Sequence, residues 1–207
     1  AATPVEPPPD IGSASWHVYS HGAEFVESLF AGQSPRVVFN PLPRHEPARA
    51  IAEAVSAVVR SGRGAVVCVP AAHDLAHWDE VFSEALGPGV HVTLTARDKP
   101  AQRYRKFLQV SRSEVAVVLG TRAAAYAPVK NLGLVAIWDD GDDLFAEPRA
   151  PYPQTREVLL TRANQTGSAV LIAGFARTAE AQSLVENGWC TELVADQPSR
   201  RREWPRV

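Results

Sequence analysis

Two stretches decide the fold. The first is Val115-Ala116-Val117-Val118-Leu119-Gly120-Thr121-Arg122; the second is Leu132-Gly133-Leu134-Val135-Ala136-Ile137-Trp138, running into Asp139-Asp140-Gly141-Asp142-Asp143. Each is a short Val/Leu/Ile run that ends abruptly in small or polar residues. Neither alternates strictly between apolar and polar, which is the pattern of a parallel strand buried on both faces. Similar runs stand at 36–39, 65–69, 90–94 and 169–172. Helix-length segments separate or flank them at 20–31, 46–61, 72–86, 99–110, 152–165 and 178–187. In the second of these, Ala50, Ile51, Ala54, Val55, Val58 and Val59 follow a 3-4 spacing and make an apolar face. Strands alternating with helices predict an α/β fold: a parallel sheet with helices on both faces and right-handed crossovers. Ligands of such sheets bind at the carboxyl ends of the strands, so the chemistry is sought there.

Composition sets the outer bounds. With 207 residues, 45% hydrophobic, the chain suffices for one full α/β domain or two very small ones, and disorder over most of its length is excluded. A formal net charge of −2 carries no large basic excess that would by itself announce nucleic acid. The two cysteines, Cys68 and Cys190, supply neither a disulfide framework nor a zinc ligand cluster, and a reducing cytoplasm is the simplest compartment. No apolar run approaches the roughly 18–20 residues of a membrane span. Methionine is absent even at residue 1, so a processed chain or a piece of a longer one is expected. Residues 1–15, with their Pro cluster, read as a linker or tail. Residues 196–207, polar and carrying Arg200, Arg201 and Arg202, read as a linker toward the next part of a longer chain. The folded unit is then expected over 16–195.

Four strand ends offer candidate chemistry. The first reads Asn40-Pro41-Leu42-Pro43-Arg44-His45-Glu46-Pro47-Ala48 and sits where a phosphate-binding loop would stand. Such a loop needs consecutive backbone N–H groups, and Pro41, Pro43 and Pro47 each remove one. Glu46 puts a carboxylate at the helix start, where it suits the helix dipole and repels phosphate. The segment reads as a Pro-rich turn, with anion binding through Arg44 and His45 as the alternative. Gly120-Thr121-Arg122 can be a plain turn or can offer a hydroxyl and a guanidinium to a ligand. The acidic turn at 139–143 can hold Mg²⁺ or can be a solvated turn. The last end is the small-residue turn Gly174-Phe175-Ala176-Arg177-Thr178.

Three weaker signals remain. His73 and His77 stand i, i+4 and could share a metal, but no third ligand is evident, which favours a surface or packed pair. Arg97, Lys99, Arg103, Arg105 and Lys106, with Tyr104 among them, could touch a nucleic-acid backbone or form a solvated helix face. Cys68, inside an apolar strand, reads as a small core residue.

Taken in order, these segments resemble the first RecA-like lobe of the PriA family of replication-restart proteins, superfamily 2 DNA helicases, and within it the actinobacterial branch. The most specific stretch is 120–137, Gly-Thr-Arg-Ala-Ala-Ala-Tyr-Ala-Pro-Val-Lys-Asn-Leu-Gly-Leu-Val-Ala-Ile. The resemblance covers about 20–195. It implies a P-loop NTPase-type sheet, ATP and Mg²⁺ as family cofactors, and zinc only elsewhere in a parent chain. Implied partners are forked or branched DNA, primosome proteins and helicase-loading proteins, in the cytoplasm at the nucleoid, with no membrane.

Carried over residue by residue, the family's phosphate loop falls on 41–48. Its three glycines stand as Pro41, Arg44 and Glu46, its Lys as Pro47 and its Mg²⁺-binding Thr as Ala48. The family's Asp-Glu-Glu-His box falls on Trp138, Asp139, Asp140 and Gly141. Its coupling segment falls on 174–178, placing Arg177 beside Gly120, Thr121 and Arg122 among the DNA or coupling positions. No Lys occurs anywhere in residues 1–98, so no shift of alignment restores the phosphate Lys. Phosphoryl transfer depends on positioning and charge neutralisation, and losing one charge-stabilising donor already costs about 3–4 kcal/mol. The resemblance therefore implies a degenerate lobe of a restart protein that recognises stalled forks and helps reload the replicative helicase. Two alternatives are an active ATP-dependent 3′–5′ helicase using nonstandard groups, with Asp139 and Asp140 on Mg²⁺ and Arg44 on phosphate, and a Mg²⁺-dependent small-molecule α/β enzyme.

Overall fold

The structure is a computed structural model, and it describes residues 8–203. The outer parts of the two expected linkers, 1–7 and 204–207, lie outside the described residues. In chain order the elements are α1 (Gly22–Phe30), β1 (Arg36–Asn40), α2 (Pro47–Arg60), β2 (Gly64–Cys68), α3 (Asp74–Leu86), β3 (His91–Leu94) and α4 (Pro100–Ser111). There follow β4 (Val117–Gly120), β5 (Leu132–Trp138), α5 (Thr155–Thr166), β6 (Ala169–Ala173), α6 (Ala179–Glu186), β7 (Thr191–Val194) and α7 (Gln197–Glu203). The strands form one sheet of order β3-β4-β2-β5-β6-β1-β7, and every ladder is parallel.

The unbroken apolar runs are explained by two cores. Val37, Phe39, Val67, Leu119 and Leu134 point to one face, under α1, α2 and α3. Val38, Val66, Cys68, Val118 and Val135 point to the other, packed on Val110 of α4, Leu159 and Ala163 of α5 and Ala181 of α6. Strand geometry sends successive side chains to opposite faces, so a sheet covered on both sides has no polar positions to spare.

Helix α2 starts on Pro47 at its first position, with the Glu46 carboxylate accepting the Ala48 N–H at 3.1 Å. Its apolar face is wider than the 3-4 spacing predicts. Ala52 and Ala57 are buried as well, because α1 and α3 flank the helix while its inner side lies on the sheet. Full burial of Ile51, Val55 and Val58 stabilises the fold by about 1.5–3 kcal/mol each.

Three features differ from the sequence reading. The edge strand β7 carries the exposed Thr191 and Glu192 and only one buried residue, so it lacks the apolar run of its neighbours. Residues 197–203, within the polar C-terminal stretch, form α7. Residues 8–16 lie along α2: Ser15 donates from its N–H and hydroxyl to the buried Glu53 carboxylate at 3.1 and 2.9 Å, and the fully buried Trp16 indole donates to the Ala50 carbonyl at 3.0 Å.

Gly120 is dictated by sterics. A Cβ there would stand 2.1 Å from the Leu94 carbonyl oxygen of β3, so only glycine lets the two strand ends approach.

Candidate functional site

Adjacent β1 and β6 send their outgoing helices, α2 and α6, to opposite faces of the sheet, which opens a crevice at their carboxyl ends. Side chains of this chain bridge it, and a recess of about 400 Å³ lined by Pro41, Phe175, Arg177 and Arg200 remains beside them. The Asn40 amide donates to the Gly174 carbonyl at 2.8 Å, and the Arg177 guanidinium donates to the Asn40 side-chain oxygen at 2.8 Å. A second Arg177 nitrogen reaches Gln182 and Glu192, each at 2.9 Å. Arg177 is thus bonded to groups within its own lobe.

The loop after β1 has few donors left, because three of its positions lack an N–H and the Leu42, His45 and Ala48 N–H groups are bonded within the chain. Pro41, Pro43 and Pro47 have no N–H. The Leu42 N–H donates to the buried Tyr19 hydroxyl at 3.1 Å, the His45 N–H to the Leu42 carbonyl at 3.0 Å, and the Ala48 N–H to Glu46. Tyr19 also bonds the His45 ring at 2.7 Å, and burial pushes its phenol up to about 12. Pro41 is buried and Arg44 is exposed. Sequence reading did not single out Tyr19. Its ring packs edge-on against Phe39 from a segment outside the loop, a contact with no local signal.

The end of β5 is equally occupied. The Trp138 ring packs between Trp78 (tilted, centroids 5.9 Å) and Phe175 (edge-on, 5.1 Å). Asp139 takes a left-handed backbone (φ 55°), which Asp tolerates better than most residues, and its N–H donates to the Ala173 carbonyl at 2.7 Å. Partial burial, with Asp142, Asp140 and Asp74 nearby, raises its carboxyl above the ordinary range. Asp140 is buried; its carboxylate accepts from Arg156 at 2.7 Å and from the Thr178 hydroxyl at 2.9 Å. At Gly141 a Cβ would meet Thr178 at 2.8 Å, so glycine permits this approach. Asp142 caps the following turn through the Leu144 N–H. The Asp140 and Asp142 carboxylates therefore have separate tasks, and among the described residues no three His, Cys, Asp or Glu side chains group to hold a metal. His77 faces Glu46 at 3.3 Å while the exposed His73 faces Asp74 at 3.3 Å, so the i, i+4 pair has separate partners.

A different arrangement stands where β2, β3 and β4 end; its middle strand, β4, lies four strand spacings from β1, roughly 19 Å at about 4.8 Å per strand. A groove of about 590 Å³ opens there, lined among others by Pro70, His73, Thr95, Arg97, Arg103 and Thr121. Arg122 lines it too, but its guanidinium donates to the Leu144 and Ala146 carbonyls at 2.9 Å and pairs with Glu147 at 3.1 Å. It anchors the 144–147 segment as the groove wall. Arg162 of α5 holds the 122–127 turn from below through the Ala125 and Ala127 carbonyls. Arg97 and Arg103 make no salt bridge among the described residues and are exposed.

The chain is 42% identical over 211 residues to the probable replication restart protein PriA of Mycobacterium leprae, across all of this chain and 32% of that protein. It is 41% identical over 204 residues to the Mycobacterium tuberculosis protein of the same name, across 99% of this chain and 30% of that one. This chain matches a fragment of a PriA-type protein. It spans about a third of the length of these curated relatives. The replication restart protein PriA of Bacillus subtilis is 24% identical over 155 residues. Among solved structures, RecG bound to a three-way DNA junction superposes with a TM-score of 0.53 at 14% identity, over 77% of this chain and 20% of that one. That likeness and the seven-stranded parallel sheet make the fold RecA-like α/β. No family model matches the chain. No described helix is long and apolar enough to cross a membrane.

Proposed function

We propose that this chain is the first lobe of a replication-restart protein acting at stalled, forked DNA, and that it engages DNA without binding or hydrolysing ATP. The observation that carries the reading is the loop at 41–48. Its three prolines, the self-bonded amides of Leu42, His45 and Ala48 and the Glu46 carboxylate at the helix start do not fit a triphosphate, which needs a run of free N–H groups. The Arg177–Asn40–Gly174 bonds and the Trp78–Trp138–Phe175 cluster support the same reading, because they tie up polar and aromatic groups at the strand ends. The lobe's task is then to hold the DNA-binding and partner-binding modules of the parent protein in place while the replicative helicase is reloaded, in the cytoplasm at the nucleoid. The groove at the ends of β2, β3 and β4 takes DNA phosphates, with Arg97 and Arg103 as its unpaired cations and the Thr95 and Thr121 side chains beside them.

The nonstandard-helicase reading requires Asp140 on Mg²⁺. That carboxylate is buried against Arg156, and freeing it would leave the buried guanidinium with only the exposed Glu157 and Glu180. The test is ATP turnover by the full-length protein with forked DNA. The expected result is no turnover above background. Turnover at about 1–100 per second, the range of ordinary phosphotransfer enzymes, overturns the proposal.

A further inference from the structure

Helix α4 buries only Val110, although it spans 12 residues. Its outer side carries Tyr104 and Phe107, which are i, i+3 neighbours and stand 64% and 43% exposed. Tyr126, 55% exposed, projects from the turn after β4. With Leu94, Pro100, Arg103 and Ala127 these rings line a recess of about 420 Å³. Arg103, Ala123 and Tyr126 line both this recess and the basic groove beside it, so the two are continuous.

Three large aromatic side chains left in water carry a cost that a globular core would remove, and they lie on one patch rather than scattered. The surrounding charge says what could cover them. Residues 95–112 contain six cations and one acid, Asp98. Lys106 is paired with Asp98 at 3.1 Å, and Arg112 lies near Glu114 at 3.9 Å. Arg97, Lys99, Arg103 and Arg105 have no carboxylate partner among the described residues, in a chain whose net charge is −2. The patch therefore calls for a partner that is anionic along one edge and flat and aromatic along the other. An unpaired nucleic-acid strand has this chemistry: phosphates for the guanidinium groups, bases for the rings.

We propose that Tyr104, Phe107 and Tyr126 are a stacking platform for unpaired bases of a DNA strand whose phosphates follow Arg103 and Arg97 into the groove. This rests on the reading that the groove takes DNA, and it adds single-strand selectivity. Paired bases are stacked on each other and cannot reach the rings, so an intact duplex would use only the cations.

The experiment uses the full-length protein, because other modules of it are expected to bind DNA. Single-stranded oligonucleotides carrying 5-iododeoxyuridine are photocrosslinked and the attached peptides identified by mass spectrometry. Binding of single-stranded, abasic and duplex DNA is measured for Tyr104→Leu/Tyr126→Leu and for Arg97→Gln/Arg103→Gln. All four positions are exposed, and retained melting temperature confirms folding. Crosslinks at Tyr104, Phe107 or Tyr126 are expected. The aromatic variant should weaken single-strand binding roughly 5- to 150-fold, equivalent to about 1–3 kcal/mol for a stacked base, and leave duplex and abasic binding unchanged. The arginine variant should weaken all three.

If the arginine variant weakens binding while the aromatic variant binds every DNA like wild type and no crosslink maps to the patch, the platform is overturned and the groove reading stands. If the arginine variant also binds like wild type, the groove reading itself fails. Loss of binding to an acidic protein partner with DNA binding intact would reassign the patch as a protein-docking face and overturn the proposal.

Discussion

The carboxyl edge of one sheet carries two unlike regions. At β1, β6 and β5 the polar groups bond to one another: the Leu42 amide to Tyr19, Arg177 to Asn40 and Glu192, Asp140 to Arg156 and Thr178. At β2, β3 and β4 the cations Arg97 and Arg103 stand exposed over an open groove. A donor already bonded inside the protein must break that bond to bind a ligand, whereas an exposed one exchanges only water. The first region is built for rigidity and the second for contact, although both occupy the position where α/β folds place ligands.

The sharpest way to break this contrast is to remove the buried carboxylate. Asp140→Ala leaves Arg156 buried with only the more exposed Glu157 and Glu180 beside it. A loss of about 3–5 kcal/mol is expected in urea unfolding. A loss below about 1 kcal/mol would mean that the crevice is not held as described. Tyr19→Phe removes the acceptor of the buried Leu42 N–H and should cost about 1–3 kcal/mol.

The same substitution tests the phenol. Its pKa is raised from 10.0 to about 12 in the fold, so the stability tied to neutral Tyr19 is complete below pH 10 and is lost as pH climbs from 10 through about 12. Ultraviolet titration should show one tyrosine ionising near pH 12, and Tyr19→Phe should abolish that step.

In the open groove the expectation reverses. Arg103→Gln should change stability by no more than about 0.5 kcal/mol while lowering the salt slope of single-strand binding by about 0.7. The smallest expected signal is a silence. Burial pushes the Cys68 thiol up to about 12 and Cys190 up to about 11, so neither should react with a disulfide reagent at pH 8 until the chain is denatured.

The five inner strands were legible because each must satisfy a core on both faces, and only a continuous apolar run does that. Of the two edge strands, β3 was legible from its run at 90–94, while β7 was not, because Thr191 and Glu192 face water and leave it no apolar run. The prolines of 41–47 were legible as missing donors. What the remaining amides bond to was not, since Tyr19 reaches Leu42 from 23 residues away. Arg156 was invisible for the same reason: within a helical stretch it is one more polar residue, and only the turn of β5 toward α5 brings Asp140 to it.

The order of strands and helices, the two-sided core and the absence of glycine and lysine from the loop after β1 follow from the sequence alone, because hydrophobic periodicity and backbone donors are local properties. Which of the charged side chains are spent and which are free was decided only in three dimensions. Acidic turns at 139–143 and basic segments at 97–106 look equally available in a list of residues. Burial and long-range pairing lock Asp140 into the interior and leave Arg103 in water.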